Sequence, residues 1–441
     1  MRNPRKFSDI MNNEVRDYSM YTIEDRAIPN MIDGLKPSQR FFLYSTLVNA
    51  RNEFRKVASI GGRVSDYGYH HAETAAMDTG ALMANDWDNN FPIIEGRGNF
   101  GSRIVQESSA ARYIYCKLHD NFVNAYKDLD LTIPHWDPEH TPPRFYLPTI
   151  PTVLLNGVSG IAVAFATDIL PHSPESVIEC VRQVLETGKC DEPEIKFPQF
   201  KGAIKSVDDK YLMEGTYVLD PKRKTRITIT EIPVKYDRAK YVEVLEDLKD
   251  ANIVLDFKTD CRDGFKFDVT MKQNVSLSSM SHEEIIKMFK LDQSLSQNIT
   301  VVGPKRTVTV PDVRVYDSAS DLIRDFVNYR ITFYPIRIAN RIKEYEEALR
   351  YATARVEFIE KVTSNEIDPR GKTRKQSIEI IEQHENLKEF SDKLIGMNIY
   401  HITTDEIKKL NEQKQVIEKE LKYWRKTSPK KEYLKDLDIL K

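Results

Sequence analysis

The chain has 441 residues, 40% of them hydrophobic and 30% charged, with a formal net charge of −2. A length beyond what one hydrophobic core serves points to roughly two to four domains. No apolar run approaches the roughly 20 residues that cross a bilayer, and the polar N-terminus carries no signal-peptide pattern; a cytoplasmic protein with no membrane-spanning segment is expected.

Residues 1–28 read as an arm plus a helix, with Ser8 as N-cap and Ile10, Met11, Val15, Tyr18 and Met20 on roughly one side. Pro29 stops it, and Asp33-Gly34 signals a turn. Pro37 suits a first helical position, and Phe41, Tyr44, Leu47 and Val48 follow at helical spacing. Between Lys36 and Arg63 there are six basic residues (Lys36, Arg40, Arg51, Arg55, Lys56, Arg63) and one acid, Glu53. Such a stripe serves either a phosphate-binding face or a solvated helix surface. Gly61-Gly62 and Tyr67-Gly68-Tyr69 separate further short helices, and residues 72–84 are rich in Ala, Met and Leu. Short helices around Gly-containing turns fit a helix-turn-helix or winged-helix module, with a small ligand-free bundle as the alternative.

Three motifs in this stretch carry less than they first offer. Gly96-x-Gly98-x-x-Gly101 satisfies a dinucleotide fingerprint, but no βαβ pattern surrounds it. A loop that lets backbone approach DNA or a neighbouring loop is the better reading. His70-His71-Ala72-Glu73 mixes metal-ligand types, yet adjacent side chains point different ways; hydrogen bonding to a phosphate is preferred. Asp128-x-Asp130 follows a helical stretch, not an apolar strand, and reads as a surface turn.

Ser109-Ala110-Ala111-Arg112-Tyr113-Ile114-Tyr115 delivers an arginine and a tyrosine side by side. Tyrosine, with a free pKa of about 10, becomes useful against a phosphodiester when a cation sits beside the phosphorus it attacks. Arginine's planar, permanently charged fork matches phosphate oxygens. The four cysteines, Cys116, Cys180, Cys190 and Cys261, form no C-x-x-C pair. Neither a zinc site nor a redox motif is signalled, and Cys116 reads as packing.

Residues 135–151 hold five prolines and form a rigid connector. Val153–Asn156 reads as a short strand entering a Gly-bracketed loop at 157–160, and Ile161 as a core strand residue. From about 173 to 318 the pattern is α+β: Arg226–Thr230 and Phe265–Thr270 alternate with period two, while Tyr241–Ala251 and Glu283–Leu291 read as helices. From Ser318 onward the sequence reads as long helix, with Pro335 as a kink. Ile338, Ile342, Tyr345, Leu349, Ala352, Val356 and Ile359 follow a 4-3 repeat, the mark of a coiled-coil seam. A return helix opens at Thr403, with Glu406 completing a capping box, and Ile407, Leu410, Ile417, Leu421 and Trp424 carry a second seam. An antiparallel arm with a globular tip is expected.

At Ala111-Arg112-Tyr113-Ile114-Tyr115 the chain resembles the active-site segment of the type IIA DNA topoisomerases, in its eukaryotic spelling. Asp25–Pro29 with Asp33–Pro37, Tyr69–Glu73, Gly96–Ser102 and Asn156–Ala162 resemble further blocks of the same family in the same order. Ala72 departs from the family's usual glycine, which bears on the loop path there. Weaker similarity runs through Thr230–Pro233 to the C-terminal helices. Size and spelling are most similar to the separate DNA-cleaving, gyrase A-like subunit of T-even-type bacteriophage enzymes.

The resemblance implies an α+β multidomain fold: an N-terminal arm (1–28), a winged-helix DNA-cleavage domain (29–150), an α/β tower (151–317), and a long antiparallel coiled coil with a helical C-gate for dimerisation (318–441). It implies a 5′-phosphotyrosyl link made by Tyr113, with Arg112, Arg26 and His71 assisting. Lys36, Arg40 and His70 would contact DNA, and Ile161 would wedge between base steps. No ATP-binding loop and no acidic Mg²⁺ cluster is legible. The resemblance implies that ATP and most of the Mg²⁺ binding come from one or more partner subunits that carry the ATPase and TOPRIM folds. The other expected partners are a second copy of this chain and double-stranded DNA, in a host bacterial cytoplasm. No β-propeller-like domain of the gyrase kind is read, so active supercoiling is not implied. Two rival readings are a non-enzymatic winged-helix DNA-binding or architectural protein and a tyrosine recombinase-like strand transferase. The latter usually places its tyrosine late and forms the opposite, 3′ linkage.

Overall fold

The computed structural model describes residues 6–208, 210–306, 311–368, 370–398 and 403–440; residues 1–5 of the expected arm lie outside the described residues. There are two compact units, one of residues up to Arg330 together with those from Leu434, the other Ile331–Tyr433. Among the described residues no helix is long and apolar enough to cross a membrane.

The arm is helical from Phe7 to Ala27. Its α-helical pieces Phe7–Ile10 and Arg16–Thr22 each run into a π-helical turn, Met11–Val15 and Ile23–Ala27. The helix opens at Phe7, so Ser8 sits inside the first turn and does not cap it; its hydroxyl faces Asp9 Oδ1 at 3.4 Å. The chain then turns at Asp33-Gly34. Gly34 has φ +67°, and a Cβ there would lie 2.4 Å from the Val153 nitrogen; only glycine meets both demands.

The helix Pro37–Asn49 starts on its proline, as expected, and is joined by the helices Val57–Gly61 and Glu73–Met83. Strands β1 (Arg55–Lys56), β2 (Ile94–Arg97) and β3 (Tyr115–Leu118) form an antiparallel sheet in the order β1-β3-β2. Two expectations fail nearby. Asp128 is not on a surface turn: it is 3% exposed and paired with Arg330, itself fully buried. Val153–Asn156 is not a strand, because the Thr152 hydroxyl bonds the Asp33 carbonyl at 2.7 Å and Thr152–Leu154 turns as a 3₁₀ helix against Gly34. The strand comes later, through the expected loop: β4 (Val158–Ile161) pairs with β5 (Ala166–Ile169).

The α+β reading of the following stretch holds. After the helix Pro174–Thr187, β6 (Ala203–Val207) pairs with β7 (Lys210–Glu214), which pairs on its other edge with the later β12 (Asp292–Leu295). Between them, β8 (Thr216–Leu219), β9 (Arg226–Glu231), β10 (Val254–Thr259) and β11 (Phe267–Met271) make a sheet in the order β10-β11-β9-β8. Its core gathers Ile227, Ile229 and Phe267 with Tyr241 and Leu245 of the helix Arg238–Asp250. A ribbon of β13 (Ile299–Arg306) and β14 (Pro311–Tyr316) brings Val302 against Ile23 and Ile28.

The helix expected from Ser318 is interrupted. It runs Ala319–Arg330, passes a 3₁₀ turn, and restarts at Tyr334–Thr363 with Pro335 in the first turn, where proline is tolerated. In the second unit this long helix packs on Thr404–Lys426, whose N-terminal cap is the Thr403 side chain accepting from the Glu406 amide at 3.2 Å. The ion pairs Glu346–Arg425 and Arg355–Glu406 fix the two as antiparallel. Val356, Ile359 and Leu410 lie in one buried seam. Short helices from Arg374 to Ile395 close a small core around Phe358, Ile381, Leu387 and Leu394.

Candidate functional site

Tyr113 ends a tight turn that leads directly into β3, closed by its own amide donating to the Ala110 carbonyl at 2.9 Å. Two neighbours hold that turn. The Val57 and Ala58 amides, at the start of their helix, donate to the carbonyls of Ile114 (3.0 Å) and Ala111 (3.1 Å). On the other side the Ser109 amide donates to the Asn99 carbonyl at 2.9 Å. Gly98, at φ +122°, lies so close that an added Cβ would stand 3.1 Å from Ile114 Cγ2. The Gly96-x-Gly98-x-x-Gly101 loop therefore props the tyrosine turn, as its backbone freedom allows.

Held this way, Ile114 is buried and Tyr113 projects outward, 65% exposed. The Arg112 guanidinium lies over its ring, 4.7 Å from the centroid, a cation–π contact that keeps the charge beside the phenol. Cross-strand pairing sets Lys56 and Arg97 on either side of Tyr115, and all three are exposed. Of the three, the sequence offers Lys56 only as one member of the basic stripe, and it does not single out Tyr115 or Arg97 as a site residue. For Tyr115 the signal was its place two residues after Tyr113, at the start of the strand that the turn feeds. Cys116 points inward, and burial pushes its thiol up to about 12, so it is inert packing.

A second group forms where the arm meets the 69–71 loop. The Tyr21 hydroxyl is 2.7 Å from His71 Nε2, and Tyr69 stands edge-on to the His71 ring at 5.3 Å. Arg26 is exposed on the π-helical turn. Burial raises the phenols of both Tyr21 and Tyr69, and the nearby Arg26 charge opposes each rise. The structure thus brings Arg26 and His71 into one neighbourhood. Among the described residues no hydrogen bond or ion pair links either of them to Arg112 or Tyr113. Nothing in the sequence pointed to Tyr21, which lies 50 residues before its partner. His70 turns the other way, to Glu139 Oε2 at 3.5 Å, and remains exposed.

The basic stripe divides. Arg40 is corrected: it is 7% exposed, and its guanidinium grips Asp33 through Nε–Oδ2 at 2.8 Å and Nη2–Oδ1 at 3.0 Å while bonding the Leu35 carbonyl at 2.9 Å. A guanidinium so enclosed is a framework group and has no face left for DNA. Lys36 is half-buried, and its Nζ donates to the Ser159 carbonyl at 2.6 Å. Burial lowers its pKa. It braces the base of the β4–β5 hairpin. At the end of β4, Ile161 is 88% exposed, while Ala162 and Phe165 pack on Ile23, Ile28 and Val302. The core-strand reading of Ile161 fails for a simple reason: its neighbours, not it, face the packed side. Among the described residues no three His, Cys, Asp or Glu side chains are gathered so as to hold a metal ion.

Residues 26–439 match the family described as the A subunit of DNA gyrase/topoisomerase IV. The chain is similar to the DNA topoisomerase medium subunit of Enterobacteria phage T4, 47% identical over 446 residues, covering 100% of this chain and 99% of that protein. It is also similar to the mitochondrial DNA topoisomerase 2 of Dictyostelium discoideum (27% identical, 99% of this chain, 35% of that protein). DNA topoisomerase 2 of Bombyx mori is 31% identical over 80% of this chain and 23% of its own length. The chain thus spans nearly all of the phage relative and about a third or less of these two eukaryotic ones. The crystal structure of the Plasmodium falciparum topoisomerase II DNA-binding, cleavage and re-ligation domain superposes with a TM-score of 0.87 at 27% identity, over 98% of this chain and 63% of that one.

Proposed function

Because this chain belongs to the family of DNA gyrase/topoisomerase IV A subunits, we propose that the Tyr113 hydroxyl is the nucleophile with which it opens DNA. The protein is the DNA cleavage and religation subunit of a type II topoisomerase, and it works with partner subunits. In the proposed step the Tyr113 oxygen bonds to a backbone phosphorus and the bond to the 3′ oxygen breaks. The 3′-hydroxyl leaves with a proton, and a 5′-phosphotyrosyl ester remains. The ester conserves the bond energy, so attack by the 3′-hydroxyl reseals the strand and returns the proton to Tyr113.

The observation that carries this reading is the Arg112 guanidinium 4.7 Å from the exposed Tyr113 ring. It sets a permanent cation beside the phenol, where negative charge on the phosphoryl oxygens would grow. Arg26 and His71 assist as a second set of phosphate-facing groups. Lys56, Tyr115 and Arg97 extend the surface along the backbone. The helices around Pro37–Met83 with the β1-β3-β2 sheet are read as the winged-helix cleavage module, β6 to β12 as the tower, and the antiparallel pair as the gate arm through which two copies join. Ile161, braced from below by Lys36, is the wedge that bends the duplex, at a cost of roughly a few kcal/mol per unstacked step.

Among the described residues no three His, Cys, Asp or Glu side chains are gathered to hold a metal ion, and no step is routed through Mg²⁺ in this chain; by the family resemblance, Mg²⁺ and ATP are assigned to partner subunits that carry the TOPRIM and ATPase folds. The proposed setting is a host bacterial cytoplasm, by likeness to the phage relative.

The test is a denaturant-trapped cleavage assay on supercoiled plasmid with the assembled subunits. Linear DNA carrying protein on its 5′ ends is expected with the wild type and none with Tyr113→Phe. Equal cleavage by the phenylalanine variant would remove Tyr113 from the role. Protein on 3′ ends would point to recombinase-like chemistry.

A further inference from the structure

The bond between Tyr21 and His71 joins two parts of the chain that the sequence keeps apart. Tyr21 lies on the α-helical piece of the arm just before the π-helical turn that carries Arg26. His71 lies on the loop between Gly68 and the helix Glu73–Met83. The hydroxyl–Nε2 distance is 2.7 Å. Tyr69, 7% exposed, abuts the ring edge-on, and the Tyr21 ring centroid lies 6.2 Å from that of His71. The imidazole is thus held by a hydrogen bond to one nitrogen and by two aromatic neighbours.

We propose that Tyr21 is a positioning residue for the cleavage reaction: by occupying Nε2 of His71 it makes Nδ1–H the hydrogen-bond donor offered to the DNA phosphate. The inference rests on the reading of His71 as a phosphate-facing group.

The chemistry works in both charge states of the ring. When His71 is neutral, the Tyr21 O–H donates to Nε2 and the one ring proton sits on Nδ1, because the partner of one nitrogen sets the tautomer at the other. When His71 is protonated, Nε2–H donates to the Tyr21 oxygen and Nδ1–H still faces outward. A phenol donates better than it accepts, so this contact disfavours the neutral tautomer with its proton on Nε2, which would turn an Nδ1 lone pair toward an anionic oxygen. Burial raises the Tyr21 phenol above its ordinary value, so its proton stays available for donation at neutral pH.

The test compares Tyr21→Phe, His71→Ala and the double variant in the assembled holoenzyme. Single-turnover cleavage, rejoining and DNA affinity are measured across pH 6 to 9, beside histidine-selective ¹⁵N NMR of this chain. Phenylalanine keeps the ring and its packing and removes only the hydroxyl. Losing one hydrogen bond that orients a catalytic group should slow cleavage by about three- to tenfold, with affinity little changed. The double variant should be no slower than His71→Ala, since contacting residues couple in such a cycle. The His71 resonances should report Nδ1–H in the wild type and move toward Nε2–H in Tyr21→Phe. A slow His71→Ala beside a wild-type rate and unchanged tautomer in Tyr21→Phe would overturn the positioning role and leave the His71 reading standing. His71→Ala cleaving at the wild-type rate would overturn both.

Discussion

Arg40 and Asp33 form a two-pronged buried ion pair, Nε to Oδ2 at 2.8 Å and Nη2 to Oδ1 at 3.0 Å, with side chains 8% and 0% exposed. Asp33 also accepts from the amides of Leu35 (3.1 Å) and Tyr146 (3.0 Å). One carboxylate therefore ties the turn before the Pro37 helix to a segment more than a hundred residues on, and Arg40 neutralises it there.

Arg40→Ala should consequently act on stability before it acts on DNA. Removing one partner of a buried pair leaves the other charge uncompensated, at about 3–5 kcal/mol. Arg40→Lys should recover little, because an ammonium cannot reproduce the planar fork. Urea unfolding of both variants checks this. Unchanged midpoints with weakened DNA binding would restore the phosphate role that the burial denies.

Arg112→Ala should leave the fold intact, since the side chain is exposed and its ring partner projects outward. Losing one oxyanion-stabilising group typically lowers the rate about 10²- to 10³-fold, and that is the drop expected in trapped cleavage complexes. DNA affinity should fall far less. A loss confined to affinity would make Arg112 a docking residue instead.

Ile161 is 88% exposed, so Ile161→Ala should shift stability by no more than about 0.5 kcal/mol. The wedge reading requires it to reduce duplex bending, measured by energy transfer between dyes on the two DNA arms, and to reduce cleavage with it. Full bending by the alanine variant would return Ile161 to an ordinary surface position. Lys36→Ala, by freeing the hairpin base at Ser159, should weaken bending by a different route, with looser protection of the β4–β5 amides from exchange.

His135 predicts a pH dependence. Burial, then the charges of His140 and Arg40, lower its pKa from 6.5 to about 4. Between those two values the unfolded chain binds a proton that the native state does not. Stability should therefore fall as pH drops through 6.5 and stop falling from this group near 4. His140 and His172, lowered chiefly by burial, act with the same sign. His135→Asn can still accept from the Asp137 amide, as Nδ1 does at 3.0 Å, without titrating. Its urea midpoint should fall less than the wild type's between pH 7 and pH 5. Parallel falls would remove His135 from the account.

Local chemistry made much of this protein legible in its sequence. Arg112 and Tyr113 are covalent neighbours, so a stacked pair needed only a turn that exposes both. Pro37 opens its helix and Thr403 caps its own, because each acts within one turn of where it stands. The period-two runs became β9 and β11, since a strand with one buried face must alternate. The 4-3 repeat gave the antiparallel arm for the corresponding reason in helices.

Tertiary structure alone decided what each charged group is for. Arg40 and Lys36 look alike in the basic stripe, yet one is sealed against Asp33 and the other braces Ser159, 123 residues away. Asp128 looked like a surface acid until Arg330, 202 residues later, was folded onto it. Tyr21 meets His71 only because the arm lies along the 69–71 loop. Propensity and periodicity act over a few residues and can be read along the chain. Burial and charge partnership depend on which distant segments share a volume, and a carboxylate or guanidinium changes from solvent-facing to structural according to that packing alone.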